Sequence, residues 1–171
     1  MNKDIRKDAE THRHIWGNKY DVYLAAPVIG VSKAQREQVD VIASAAADQL
    51  GRDMNLADVY KPWTLKIPNA WGMPQNEWAR CVFTQDVLAL NDAFAVVVCD
   101  FGRHSSCGTA WEAGYAFAKK KRVIVVQMPG VEEVSIMVHN GCSVVVSYED
   151  FCSGDWCIPD YLNAKPEVTQ N

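Results

Sequence analysis

One carboxylate in this chain stands where a reactive group would be placed. Glu112 lies in Ser105-Ser106-Cys107-Gly108-Thr109-Ala110-Trp111-Glu112-Ala113-Gly114-Tyr115-Ala116, a run of small residues that passes straight into helical spacing. Small residues ahead of a helix let a ligand approach the backbone and the positive end of the helix, so Gly108 and Thr109 are candidate binding positions. Thr109-x-x-Glu112 also fits the capping box that closes many helix starts, which would make Glu112 a structural cap. Set between Trp111 and Ala113, a partly buried Glu112 would instead be tuned for catalysis. Displacement at carbon by a carboxylate needs a second group, because one carboxylate attacks while another protonates or holds what leaves. Asp86, Asp92 and Asp100 are the candidates. Asp86 falls near the end of a helical segment. Asp92 directly precedes an apolar run, where a turn or cap role competes with substrate binding. Asp100 ends that run and suits the start of a loop.

These residues must be positioned by the elements around them. Four short apolar runs, Tyr20 to Ala26, Ala93 to Cys99, Arg122 to Gln127 and Ser143 to Ser147, are continuous rather than alternating, as in strands buried on both faces. A fifth strand is expected within Val59 to Thr64. Between them, Lys33 to Leu50 carries Val39, Ile42, Ala43, Ala46 and Leu50 on one side and has Gly51 as a C-terminal stop. Asn76 to Leu90 and Gly108 to Lys121 have similar spacing. Alternating strands and helices predict a doubly wound, flavodoxin-like or Rossmann-like parallel sheet of about five strands with helices on both faces. Ligands of such α/β sheets sit beyond the carboxyl ends of the strands. That rule selects the turn Ala25-Ala26-Pro27, the loop from Asp100 to Cys107 and the loop beginning at Met128.

Composition narrows the field. The 171 residues carry 17 Lys plus Arg against 21 Asp plus Glu, a formal charge of −4. That sign argues against a nucleic-acid polymer as partner. Length and the absence of repeats or Gly/Ser linkers point to a single domain over 1–171 with its core at about 20–150. No segment reads as a membrane span or a secretory leader, and a soluble, cytoplasmic protein is expected. The six cysteines are then read as reduced thiols. His139-x2-Cys142 with Cys152-x4-Cys157 would offer four zinc ligands, but neither spacing is the usual one, and no metal or organic cofactor is expected. Gly-x-Gly-x-x-Gly after the first strand and the P-loop pattern are both absent, which sets aside dehydrogenases and P-loop enzymes. Trp63, Trp71, Trp78 and Trp111 offer stacking surfaces, although helical spacing favours a core role.

Three segments in order, Tyr23-Leu24-Ala25-Ala26-Pro27, Asp86-Val87-Leu88-Ala89-Leu90-Asn91-Asp92, and Cys107 through Ala116, together resemble the nucleoside 2-deoxyribosyltransferase family. The resemblance runs from about Asp21 to Ser147. It implies an enzyme that breaks the N-glycosidic bond of a 2′-deoxynucleoside through a deoxyribosyl ester on Glu112. Tyr23, otherwise readable as an edge-of-core aromatic, then matches the tyrosine whose hydroxyl orients that glutamate. Asp86 matches the aspartate that hydrogen-bonds the base and assists its protonation. The ester passes to an acceptor base, or to water in the related branch that hydrolyses 2′-deoxynucleoside 5′-monophosphates. The expected partners are therefore a small nucleoside or nucleotide and a free base, in a homo-oligomer whose site is completed by a neighbour.

Two departures bear on the choice of branch. Transferases of the family commonly carry Asp six residues before the nucleophile, where this chain has Ser106, and often Asn from a neighbouring subunit where it has Ser135. Both serines are candidate substrate-binding residues, and both suit a 5′-phosphate, which a carboxylate would repel. Against this, the hydrolases usually present Arg just after the first strand. The segment Pro27-Val28-Ile29-Gly30 has none, so Lys33 or Arg36 would have to replace it. A nucleotide-binding module without turnover is the rival from another class.

Overall fold

The structure is a computed structural model, and it describes residues 20–53, 58–155 and 158. Five strands form one all-parallel sheet: β1 (Val22–Ala25), β2 (Val59–Tyr60), β3 (Ala95–Asp100), β4 (Arg122–Gln127) and β5 (Val144–Ser147), in the order β2-β1-β3-β4-β5. This is the doubly wound order of flavodoxin-like folds, whose strand sequence reverses between β1 and β3 and leaves a crevice there. The central strand β3 is buried at every position, which is why its sequence is apolar throughout rather than alternating.

Successive side chains of a strand point to opposite faces, and each face has its own core. Val22 and Leu24 of β1 pack with Val39, Ile42, Ala43, Ala46 and Leu50 of helix α1 (Lys33–Asp53). Tyr23 and Ala25 pack toward Ala89 and Leu90 of α2 (Gln75–Asp92) and Ala113 and Ala116 of α3 (Cys107–Ala118). Two short helices, α4 (Ile136–Asn140) and α5 (Tyr148–Ser153), complete the described chain. Buried Gln49 ties α1 to the C-terminal segment: its Nε2 donates to the Phe151 carbonyl and its Oε1 accepts from the Ile158 N–H, each at 2.9 Å.

Several boundaries differ from the sequence reading, each for a local reason. Helix α1 runs through Gly51 to Asp53, so that glycine is not a stop. Helix α3 ends at Ala118, before Lys121, because Lys120 takes a left-handed φ of 57° that no helix can continue. The fifth strand is only Val59–Tyr60. Pro62 has no N–H for the ladder and opens a single 3₁₀ turn instead. Of the four tryptophans read as core, Trp63 packs partly buried at the core's edge, while Trp78 and Trp111 are about half exposed and Trp71 is fully so.

The zinc set is split by the sheet. Cys142 packs on the face with Tyr23, Cys152 packs on the opposite face with Leu24, and Cys157 lies outside the described residues. Among the described residues, no group of three or more potential ligands is placed to hold a metal.

Candidate active site

The crevice at the reversal point is a cavity of about 470 Å³. Ala26 and Val28 after β1, Trp63 after β2, Trp78 and Asp86 on α2, and Gly108, Thr109 and Glu112 on α3 all contribute to its wall. Four elements that are distant in sequence thus meet at the carboxyl ends of β1 and β3.

Helix α3 presents Glu112 because of how it starts. Ser106 is its N-cap: the side-chain oxygen accepts from the Thr109 N–H at 3.1 Å and pairs with the Thr109 hydroxyl at 2.8 Å. The capping box anchored on Thr109 is therefore not formed. Glu112 lies one turn further into the helix, with its carboxylate free to turn across to the sheet. Its Oε1 accepts a 2.6 Å hydrogen bond from the hydroxyl of Tyr23, a residue otherwise wholly enclosed.

A second pair stands beside the first. The Tyr60 hydroxyl on β2 donates to Asp86 Oδ1 at 2.7 Å. The Tyr23 and Tyr60 rings stack at 5.2 Å, and Tyr20 packs edge-on against Tyr60 at 4.8 Å. Sequence reasoning missed Tyr60. The only local signal was an aromatic within a short apolar run, and its partner is 26 residues away.

Burial dominates the electrostatics. It pushes the Glu112 carboxyl up to about 7; the bond from Tyr23 pulls it down, and the Asp86 charge adds to the rise. Burial also raises Asp86, while the bond from Tyr60 opposes that rise. Both phenols are driven far above their usual range, first by burial and then by the carboxylates they serve, so they remain neutral donors. Two carboxyls of raised proton affinity in one cleft titrate as a coupled pair, and the singly protonated pair holds one carboxylate and one carboxylic acid.

The remaining sequence candidates divide. Gly108 and Thr109 line the cleft, but the Thr109 hydroxyl is used within the helix cap. Ser106 borders both this cleft and an adjoining cavity of about 410 Å³ that Ser135, Asp100, Arg103 and Glu133 also line. Ser135 does not line the cleft of its own chain. Asp100 is turned into its own loop, accepting from Ser105 Oγ at 2.5 Å and from the Gly102 N–H at 3.1 Å. Asp92 is not brought to the site. It ends α2 before β3, at the amino edge of the sheet, and its charge acts on Lys121, whose ammonium caps the Asn91 and Ala93 carbonyls at 2.8 and 2.5 Å. Lys33 and Arg36 are exposed on α1, Lys33 facing Glu37 at 3.6 Å, and neither lines the cleft.

Comparison with known proteins agrees with this fold. No curated protein sequence matches the chain. A 2-deoxyribosyltransferase from Bacillus psychrosaccharolyticus shares the fold with a TM-score of 0.60 at 22% identity, covering 86% of this chain and 99% of that one. A conserved protein from Enterococcus faecalis V583 superposes with a TM-score of 0.57 at 19% identity, covering 78% of this chain and 95% of that one. The family described as nucleoside 2-deoxyribosyltransferase matches residues 22–146. With the match spanning most of its length, and a tyrosine-held glutamate in the crevice of a five-stranded parallel sheet, the chain belongs to the nucleoside 2-deoxyribosyltransferase family of enzymes.

Proposed function

We propose that this enzyme transfers the deoxyribosyl group of a 2′-deoxynucleoside to an acceptor base by double displacement. Ionised Glu112 attacks the anomeric carbon as the C–N bond breaks, and the bonding electrons leave with the base. Asp86 supplies the proton that neutralises that base. The acceptor base then attacks the same carbon, displaces the Glu112 carboxylate and returns a proton. The observation that carries this reading is the 2.6 Å bond from Tyr23 to Glu112 in a cleft that Asp86 shares. A binding module has no need of a buried carboxylate held ready by a neutral donor.

Trp63 and Trp78 in the cleft wall give a base flat surfaces to stack on. A second copy of the chain is part of the proposal. Ile136 and Met137, directly after Ser135, are 79% and 82% exposed, an apolar surface suited to a neighbour that would receive Ser135 into its own site. The cytoplasm is the proposed location: among the described residues Cys81, Cys99, Cys107, Cys142 and Cys152 are free thiols, a state that a reducing compartment maintains.

Hydrolysis of 2′-deoxynucleoside 5′-monophosphates is the second reading, favoured by Ser106 at the cleft edge where a carboxylate would repel phosphate. The deciding experiment follows release of free base from deoxynucleosides and their monophosphates, with and without a second base. Base exchange on nucleosides supports the transferase. Acceptor-independent cleavage of monophosphates supports the hydrolase. No release from any substrate overturns both.

A further inference from the structure

We propose that Tyr60 is a positioning residue for Asp86: by donating to Oδ1 it fixes the carboxyl plane and leaves Oδ2 as the oxygen that meets the departing base. The inference rests on the reading above that Asp86 serves that base.

Three observations converge. The Tyr60 hydroxyl lies 2.7 Å from Asp86 Oδ1. Its ring is held between Tyr23, stacked at 5.2 Å, and Tyr20, edge-on at 4.8 Å, so the hydroxyl cannot swing away without losing both contacts. Tyr60 is also 6% exposed at the edge of an apolar core, where a phenylalanine would pack equally well unless the hydroxyl had a use. A carboxyl with Oδ1 occupied as an acceptor carries its proton on Oδ2, since a proton on Oδ1 would face the donor hydrogen of Tyr60. When the glycosidic bond breaks, that Oδ2 proton passes to a ring nitrogen of the base and Asp86 is left ionised. The bond from Tyr60 then grows stronger, because its acceptor has become charged.

The test combines Tyr60→Phe with a direct titration of Asp86. The titratable neighbours of Asp86 are Tyr60 on β2, Tyr23 on β1 and Glu112 on α3. Tyr60→Phe keeps the ring stack and removes only the donor. It should lower kcat by about 10- to 100-fold with KM changed less than about threefold, the range for a hydrogen bond to a charged group. In an Asp86→Asn background it should add less than about twofold, because Tyr60 acts through that carboxylate. Carboxyl-carbon NMR of Asp86 should show its titration moving to higher pH in Tyr60→Phe. Replacing Tyr60 by 3,5-difluorotyrosine, a stronger donor with the same ring, should move it lower. An unchanged Asp86 titration in both variants, or an equal loss of turnover with and without Asp86, overturns the proposal. A wild-type protein that releases no base overturns the functional reading, and the titration still decides whether Tyr60 governs Asp86.

Discussion

Tyr23 and Tyr60 are register partners on adjacent parallel strands, and each hydroxyl ends on a carboxylate from a different helix, Glu112 at 2.6 Å and Asp86 at 2.7 Å. Direct pairing across β1 and β2 places both side chains on one face of the sheet, under the helices that supply the acids. The spacing between the two carboxylates is thereby set by the register of the sheet. Rotamer freedom in either acid is removed before any substrate arrives.

Glu112→Ala and Glu112→Gln should both abolish base release while leaving the far-ultraviolet spectrum unchanged. The glutamine variant keeps an oxygen to accept from Tyr23 and should still bind nucleoside. Measured turnover near that of the wild type in either variant would return Glu112 to a structural role.

Stability should report the buried acid separately. Glu112 titrates near 4.5 when unfolded and at about 7 when folded, so the folded state binds its proton more tightly. The stability it contributes is full below about pH 4.5 and is lost as pH rises through about 7. Thermal melts at pH 5 and pH 8 should therefore show Glu112→Gln gaining on the wild type at the higher pH. Because the reaction needs Glu112 ionised while Asp86 still holds a proton, kcat/KM should be bell-shaped in pH, falling on the alkaline side as the pair loses its shared proton.

Asp86→Asn should reduce kcat by about 10²- to 10⁴-fold, the usual range for a lost general acid. Tyr23→Phe should also lower turnover severely, since Glu112 would lose the bond that orients it. Steady-state rates of base release check both. A change below about threefold at Asp86 would place it outside the chemistry.

The N-cap of α3 and the proposed phosphate contact, both placed on Ser106, can be separated by substitution. As the N-cap of α3, Ser106 should cost about 1 kcal/mol of stability when replaced by alanine, measured by urea denaturation. Ser106→Asp caps a helix equally well, and so isolates the effect of charge at the cleft edge. If a 5′-phosphate sits there, this variant should lose monophosphate cleavage far more than nucleoside cleavage. Equal effects on both substrates would remove Ser106 from phosphate binding.

Gly108→Ala tests how closely a ligand approaches the backbone. An added Cβ would meet only Ser106 Oγ, at an ordinary 3.6 Å, so the fold should tolerate it. A rise in KM without loss of thermal stability would place the substrate against this turn. An unchanged KM would show that the glycine is there for the helix start alone.

The order of elements was legible in the chain because burial on two faces writes a continuous apolar run and burial on one face writes a helical period. Arg122 to Gln127 matches β4 end to end, and β3 and α1 differ only at their limits. The position of Glu112 in the cleft wall was legible too, since a small-residue loop entering a helix after a central strand marks the ligand edge. What the sequence alone left open was which of its acids and hydroxyls face one another. Asp92 and Asp86 stand six residues apart on one helix. Asp86 reaches the cleft, while Asp92 sits at the opposite edge of the sheet beside Lys121. Only the helix direction across the sheet separates them. Ser106 rather than Thr109 caps α3 because the chain enters the helix three residues earlier than the capping-box pattern suggested, with Ser106 at a non-helical φ and ψ. Tyr60 acquires its role from strand order, which brings β2 beside β1, and from the register that sets Tyr60 opposite Tyr23. Strand order and register follow from how two faces of a sheet are covered at once, a property of the whole packed chain that no local spacing encodes.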